Sequence, residues 1–166
     1  MKLMVQIPCY NEAGTLPEVL RDIPKSIEGI SVIEVLIIDD GSTDETVAVA
    51  RQHGVQHIVS HKANKGLARS FQSGIERCIE LGADIIVNTD GDNQYAGSSI
   101  PDLVRPIVEG KADVVIGDRQ PGRNTDFSLL KRLLQRLGKY GAAEPAASWG
   151  AGPVVARNVE RVSVQL

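Results

Sequence analysis

Hydrophobic positions in this chain fall into two alternating kinds of block. Nearly continuous apolar runs occupy 3–7, 32–38, 55–59, 83–87 and 112–117. All five read as strands, and the nearly continuous β-branched run 32–38 predicts one covered on both faces, as in a parallel sheet. Between them the apolar spacing lengthens to a helical period. Leu16, Val19, Leu20 and Ile23 form one stripe, Val47, Val49 and Ala50 a second, and Leu103, Ile107 and Val108 a fourth. The longest stripe sets Leu67, Phe71, Gly74, Ile75, Cys78 and Ile79 on one face of a helix from about 67 to 81. Leu130, Leu133, Leu134 and Leu137, ringed by Lys131, Arg132, Arg136 and Lys139, predict a further amphipathic helix near 128–139.

Punctuation agrees with these blocks. Pro8 has no N–H for a ladder and is expected to end the first strand. Thr15-Leu16-Pro17-Glu18 and Ser42-Thr43-Asp44-Glu45 both fit capping boxes. Ser99 reads as a third N-cap, with Pro101 and Asp102 in the first turn, and Gly54, Gly82 and Gly110 read as helix stops. A strand–helix pair repeated in this way predicts an α/β fold with a mostly parallel sheet and helices on both faces. From Tyr140 the pattern lapses: eleven of the last 27 residues are Gly, Ala or Pro, and no period is readable before Val154. The expected organisation is therefore a domain over 1–139 followed by an atypical tail over 140–166.

Composition narrows the class. The 166 residues suffice for one domain with a real core, and a net charge of −3 argues against general nucleic-acid affinity. Cys9 and Cys78 have no metal-ligand spacing and suggest no disulfide framework, so a reduced, cytosolic setting is expected. The chain enters its first strand almost at Met1, so no signal peptide is expected. No apolar run approaches the ~18 residues of a membrane span. The basic helix near 128–139 could rest on a membrane surface, or could be a solvated helix with a core face. His53, His57 and His61 are spaced by four, but Gly54 and the strand after it break the register needed for a shared metal.

The candidate chemistry gathers where strands end. Tyr10 and Glu12 follow the first run, Asp39 and Asp40 the second, Asp90 and Asp92 the fourth, and Asp118 and Arg119 the fifth. In parallel sheets ligands bind beyond the carboxyl ends of the strands, so this clustering predicts a ligand site. Asp90-Gly91-Asp92 is its centre. Two carboxylates ~5 Å apart repel by about 3 kcal/mol at an effective dielectric of 20. A divalent cation on hard oxygens, with Gln94 adding another, relieves that repulsion; an ordinary Asp-Gly turn is the plainer alternative. A cation among carboxylates suits a diphosphate ligand. Gly66, Gly74 and the start of the third helix would let backbone N–H groups approach phosphate, and Lys65 and Arg119 would offset charge. Asp39 or Asp40 would accept hydrogen bonds from base or ribose, and Tyr10 would pack against the base. Neither G-x-G-x-x-G after the first strand nor G-x-x-x-x-G-K-[ST] anywhere is present, which removes dehydrogenase and P-loop readings.

Five segments carry a resemblance: Ile7-Pro8-Cys9-Tyr10-Asn11-Glu12, Ile38-Asp39-Asp40-Gly41-Ser42-Thr43-Asp44, Asn64-Lys65-Gly66-Leu67-Ala68, Asp90-Gly91-Asp92-Asn93-Gln94 and Val115-Ile116-Gly117-Asp118-Arg119. In this order, over roughly residues 3–139, the chain resembles family 2 glycosyltransferases, most closely those like dolichol-phosphate mannosyltransferase. The resemblance implies a Rossmann-like GT-A nucleotide-diphospho-sugar transferase sandwich and a GDP- or UDP-sugar donor. It implies that Pro8, Tyr10, Glu12 and Asp40 contact base and ribose, that Asp90 lies against the donor's ribose or sugar, and that Asp92 and Gln94 hold Mg²⁺ or Mn²⁺ in a DXD-type motif. Lys65 and Gly66 complete the expected nucleotide-sugar-binding set, and Arg119 would face phosphate, with Asp90, Asp92 and Arg119 as the catalytic residues. The implied acceptor is a polyprenyl phosphate, with work at the cytoplasmic face of a membrane in cell-envelope glycan synthesis.

The sequence departs from the family beyond 139. An Asp-x-x-Ser-Gly-Phe-Arg-like segment usually follows the basic helix, and nothing in 140–166 matches it. The expectation is a C-terminally incomplete, truncated or frame-shifted domain, with a non-catalytic nucleotide-sugar-binding remnant as the alternative function. Homo-oligomerisation through an uncovered apolar face is a further expectation.

Overall fold

The computed structural model describes residues 1–92, 97–117 and 154–157. Within them the elements are β1 (Lys2–Cys9), α1 (Leu16–Asp22), β2 (Val32–Asp39), α2 (Thr46–Gln52), β3 (His57–Ser60), α3 (Leu67–Glu80), β4 (Ile85–Asn88), α4 (Ile100–Val108, preceded by a 3-10 turn, Gly97–Ser99), β5 (Val114–Ile116) and β6 (Val154–Arg157). The sheet order is β3-β2-β1-β4-β6-β5. β1 pairs parallel with β2 and β4, and β2 with β3, while β6 runs antiparallel to both β4 and β5.

Strand alternation builds two cores. Leu3, Val5, Ile7 and Cys9 turn to the face covered by α1, α2 and α4, where they meet Leu16, Val19, Ala50, Ile100, Val104 and Ile107. Met4, Leu36, Ile38 and Ile86 turn to the opposite face, beneath Ile75, Cys78 and Ile79 of α3. The central strands are thus buried on both sides, which is what their unbroken apolar runs predict. The two inner faces make this an α/β sandwich of the expected kind.

Several local expectations need correction. β1 does not stop at Pro8: Pro8 and Cys9 stay in register with Ile38 and Asp39 of β2. Pairing with β4 ends at Gln6, so Pro8 has a strand neighbour on one side only, the situation in which a strand tolerates proline. The buried line of α3 is Ser70, Gly74 and Cys78, while Leu67 is exposed. Small residues occupy that line because the helix lies close to the sheet: a Cβ on Gly74 would sit 2.1 Å from Gln6 Oε1 and 2.8 Å from Ile38 Cδ1. β6 comes from the segment read as an atypical tail, from Val154 onward, and lies in the sheet between β4 and β5, with Val155 fully buried. The basic helix near 128–139 and Trp149 lie outside the described residues. No helix among the described residues is long and apolar enough to cross a membrane.

Candidate functional site

β1 lies between β2 and β4, so the chain leaves it toward one side and later returns on the other. Such a switch point opens a crevice at the carboxyl ends of the strands. The loops after β1 and β2 are stitched together on one side of it. Asn11 adopts a left-handed conformation (φ 56°), which asparagine tolerates better than most residues. Its Oδ1 accepts from Thr43 N at 2.8 Å, and its N–H donates to Ser42 Oγ at 3.0 Å. Glu12 N–H donates to Thr46 Oγ1 at 2.9 Å and Ala13 N–H to Asp44 Oδ2 at 3.1 Å.

These bonds displace both predicted capping boxes. Ser42 serves the neighbouring loop, and α2 starts at Thr46, whose N–H and hydroxyl both go to Asp44 Oδ1. The Thr46 hydroxyl, with the Ala13 and Thr46 N–H groups, holds the Asp44 carboxyl below its ordinary range. The Thr15 hydroxyl donates to Glu12 Oε2 rather than capping its own helix. Ser99 precedes α4 without a side-chain cap bond, although Pro101 and Asp102 fall in the first turn as expected. Tyr10 stands 47% exposed at the end of β1, with Pro8 and Glu12 half-buried beside it.

The two aspartates ending β2 diverge. Asp39 lies in register with Cys9 and accepts from Ser42 N at 2.9 Å. Asp40 turns to the α3 side and is 4% exposed. Its Oδ1 accepts from His61 Nδ1 at 2.7 Å and Lys65 N at 2.9 Å, and its Oδ2 from Gly66 N at 2.8 Å. Burial alone would raise this carboxyl; bonds from His61 and from the Lys65 and Gly66 N–H groups outweigh it, and the net position is below the ordinary range. Ser70 faces the same carboxylate without a well-formed bond. The Gly66 amide, expected to approach phosphate, is thus committed to Asp40 together with the Lys65 amide, while Gly74 is buried against Gln6 and Ile38; the Lys65 side chain, expected to offset charge, is exposed. Gly41 (φ 76°) lets the turn pass: a Cβ there would lie 2.6 Å from the Ala63 carbonyl carbon.

Asp90-Gly91-Asp92 leaves β4 beside the end of β1. Gly91 is buried so close that a Cβ would lie 3.1 Å from Cys9 Sγ, 3.3 Å from Glu12 Cγ and 3.5 Å from Pro8 O. That contact brings the half-buried Asp90 and Asp92 to the same edge as Pro8 and Glu12. The edge is strongly negative. Cys9 Sγ is driven above its ordinary range by burial first, and then by the charges of Glu12, Asp39 and Asp44. Its thiol donates weakly to Ile7 O at 3.5 Å, as a small packed core residue rather than a nucleophile. Hard carboxylate oxygens in such a field fit Mg²⁺ or Mn²⁺. No group of three or more His, Cys, Asp or Glu fit to hold a metal occurs among the described residues. Gln94, Asp118 and Arg119 lie outside the described residues.

The sequence reading missed His61 and Asn11. The three histidines go to separate partners: His53 to Val49 O, His57 to Glu34, and His61 to Asp40 and Ser73. A readable signal for His61 did exist. Continuing the alternation His57, Val59, His61 past β3 puts it on the face of Ile38 and Asp40.

Known proteins agree with this architecture. Residues 4–151 match the family model described as glycosyl transferase family 2. A Shigella flexneri protein, RfbJ, is 33% identical over 119 residues, 71% of this chain and 85% of its own length. The undecaprenyl-phosphate 4-deoxy-4-formamido-L-arabinose transferase of Salmonella choleraesuis is 34% identical over 84% of this chain and 46% of its own length. The UDP-N-acetylglucosamine–dolichyl-phosphate N-acetylglucosaminyltransferase of Methanococcus voltae is 26% identical over 76% of this chain and 56% of its own. The chain therefore spans about half the length of two of these three relatives. Among solved structures, Mycobacterium tuberculosis glucosyl-3-phosphoglycerate synthase, in complex with Mn²⁺, UDP and glucosyl-3-phosphoglycerate, superposes with a TM-score of 0.62 at 24% identity. That match covers 94% of this chain and 56% of the synthase. The Pyrobaculum calidifontis mannosyltransferase in complex with GDP-mannose and Mn²⁺ superposes with a TM-score of 0.59 at 21% identity, over 73% and 36%. The fold is that of GT-A glycosyltransferases, and the chain belongs to glycosyl transferase family 2.

Proposed function

We propose that this chain binds a nucleoside-diphosphate sugar and passes the sugar to an acceptor oxygen, polyprenyl phosphate being the favoured acceptor class. The observation that carries this reading is the single acidic edge formed by Pro8–Glu12, Asp39–Asp44 and Asp90–Asp92, closed by Gly91 against β1. Pro8, Tyr10, Glu12 and Asp40 would receive base and ribose, and Asp90 the ribose or sugar. Asp92, with Gln94, would hold Mg²⁺ or Mn²⁺, which when bound neutralises charge on the departing nucleoside diphosphate. Lys65 and Arg119 would add positive charge toward phosphate. A polyprenyl phosphate is ionised at neutral pH and needs little help from a general base, so positioning and electrostatics would dominate the rate. The Salmonella and Methanococcus relatives, named for undecaprenyl- and dolichyl-phosphate, support that acceptor class. It would bring the chain to a membrane surface.

The test is calorimetric titration of GDP, UDP and their sugars, with and without Mn²⁺, on the wild type and Asp92→Ala. Metal-dependent binding abolished by the substitution is expected. Metal-independent binding, or binding untouched by Asp92→Ala, would refute the assignment. Sugar transfer to a short-chain polyprenyl phosphate then distinguishes a transferase from a binding remnant.

A further inference from the structure

Beneath the N-terminal half of α3 lies a polar layer in an otherwise apolar interface. Gln6, Asp40 and Ser70 are buried there, Gln6 Nε2 donates to Asn88 Oδ1 at 3.1 Å, and Gln6 Oε1 and Ser70 Oγ have no hydrogen-bond partner. The His61 side chain is 6% exposed and spans this layer. Its Nδ1 faces Asp40 Oδ1 at 2.7 Å and its Nε2 faces Ser73 Oγ at 3.1 Å. A ring nitrogen against a carboxylate carries the proton, so Nδ1–H donates to Asp40, while Nε2 lies within hydrogen-bond distance of the Ser73 hydroxyl. The His61 backbone N–H donates to Asp39 O at 2.9 Å. One residue thus ties the end of β2 to α3, and Asp40 also accepts from the Lys65 and Gly66 amides. A turn held only by packing would not require a buried imidazole–carboxylate pair, which is costly unless every partner is in place.

We propose that the Asp40–His61–Ser73 chain is a strut that sets nucleotide affinity by fixing the 61–66 turn and the start of α3. His61 is its positioning residue, acting through Asp40 and the turn that Asp40 holds. The proposal rests on the donor-site reading above, but its geometry does not depend on a ligand.

The experiment compares the wild type with His61→Phe, which fills the space without a donor, with His61→Asn, which keeps an N–H toward Asp40, and with Ser73→Ala. Two readouts are used: the Kd of GDP and UDP with Mn²⁺, and amide exchange at Lys65 and Gly66 without nucleotide. The loss of one charge-assisted bond in His61→Phe is expected to raise Kd about tenfold. Exchange at both amides should quicken in the same variant. His61→Asn should restore slow exchange, with Kd within about threefold of wild type. His61→Phe binding as tightly as wild type, or His61→Asn binding as weakly as His61→Phe, would overturn the proposal. Should His61→Phe not fold, Ser73→Ala carries the test: a rise in Kd of about two- to threefold supports the strut, and no change overturns it. If the wild type binds neither GDP nor UDP, the donor-site reading fails and the affinity effect with it. In that case unchanged exchange at Lys65 and Gly66 in His61→Phe would show that the strut is absent as well.

Discussion

Replacing Gly74 with alanine sets two opposed effects against each other, and the structure decides between them. In an exposed helix interior the change would stabilise by about 1 kcal/mol. Here the new Cβ would lie 2.1 Å from Gln6 Oε1, 3.0 Å from Gln6 Cδ and 2.8 Å from Ile38 Cδ1. Both neighbours are fully buried, and Gln6 is tied to Asn88. Displacing Gln6 forfeits that bond, about 1 kcal/mol. Overpacking a tight interface costs about 1–3 kcal/mol more. The helix-propensity gain offsets only the bond, so Gly74→Ala should destabilise by about 1–3 kcal/mol. At roughly 2–4 °C per kcal/mol for a chain of this size, Tm should fall by about 2–12 °C. Urea denaturation followed by circular dichroism measures the change, and a cycle with Gln6→Ala locates it. In the Gln6→Ala background the principal clash is gone, and Gly74→Ala should become nearly neutral. A Gly74→Ala protein as stable as wild type would refute the close approach of α3 to β1.

The turn at Gly41 gives a related result: Gly41→Ala meets both an unfavourable φ and the Ala63 backbone at 2.6 Å, and should cost about 2–4 kcal/mol in the same denaturation assay. Asp40 sits below its ordinary range when folded, so the stability it contributes is present above about pH 4 and is lost as pH falls through the folded value. Glu34, lowered first by the Lys2 hydrogen bond and then by His57, acts in the same direction. Asp40→Asn should therefore be less stable at neutral pH and show a shallower loss between about pH 5 and 2, measured as Tm against pH; parallel curves would contradict this. Burial raises both thiols, Cys78 to about 12, so neither cysteine should react with a thiol reagent until the protein unfolds. Labelling of native protein at the rate of a free thiol would disprove it.

What the sequence determined by itself is what short-range pattern can carry. The Val- and Ile-rich run ending at Asp39 and the run ending at Asn88 are buried on both faces, and such burial writes itself as unbroken apolarity. The helical stripes at 16–23 and 67–81 name their elements because each repeats its period within a few turns. The acidic residues at the strand ends were legible because parallel sheets send ligands there, and five ordered segments identified the family. Decisions between distant segments needed the tertiary structure. Thr15, Ser42 and Asp44 are all good cap residues, but Thr15 turns back to Glu12, and the meeting of the loops after β1 and β2 engages Ser42 with Asn11 and Asp44 with Ala13. β6 shows too little period in four residues to announce itself, and its place between β4 and β5 follows from pairing across the chain. Asp39 and Asp40 are equivalent in sequence. Strand alternation sends one toward Cys9 and the other toward His61, and the loops packed beside each then give them different partners.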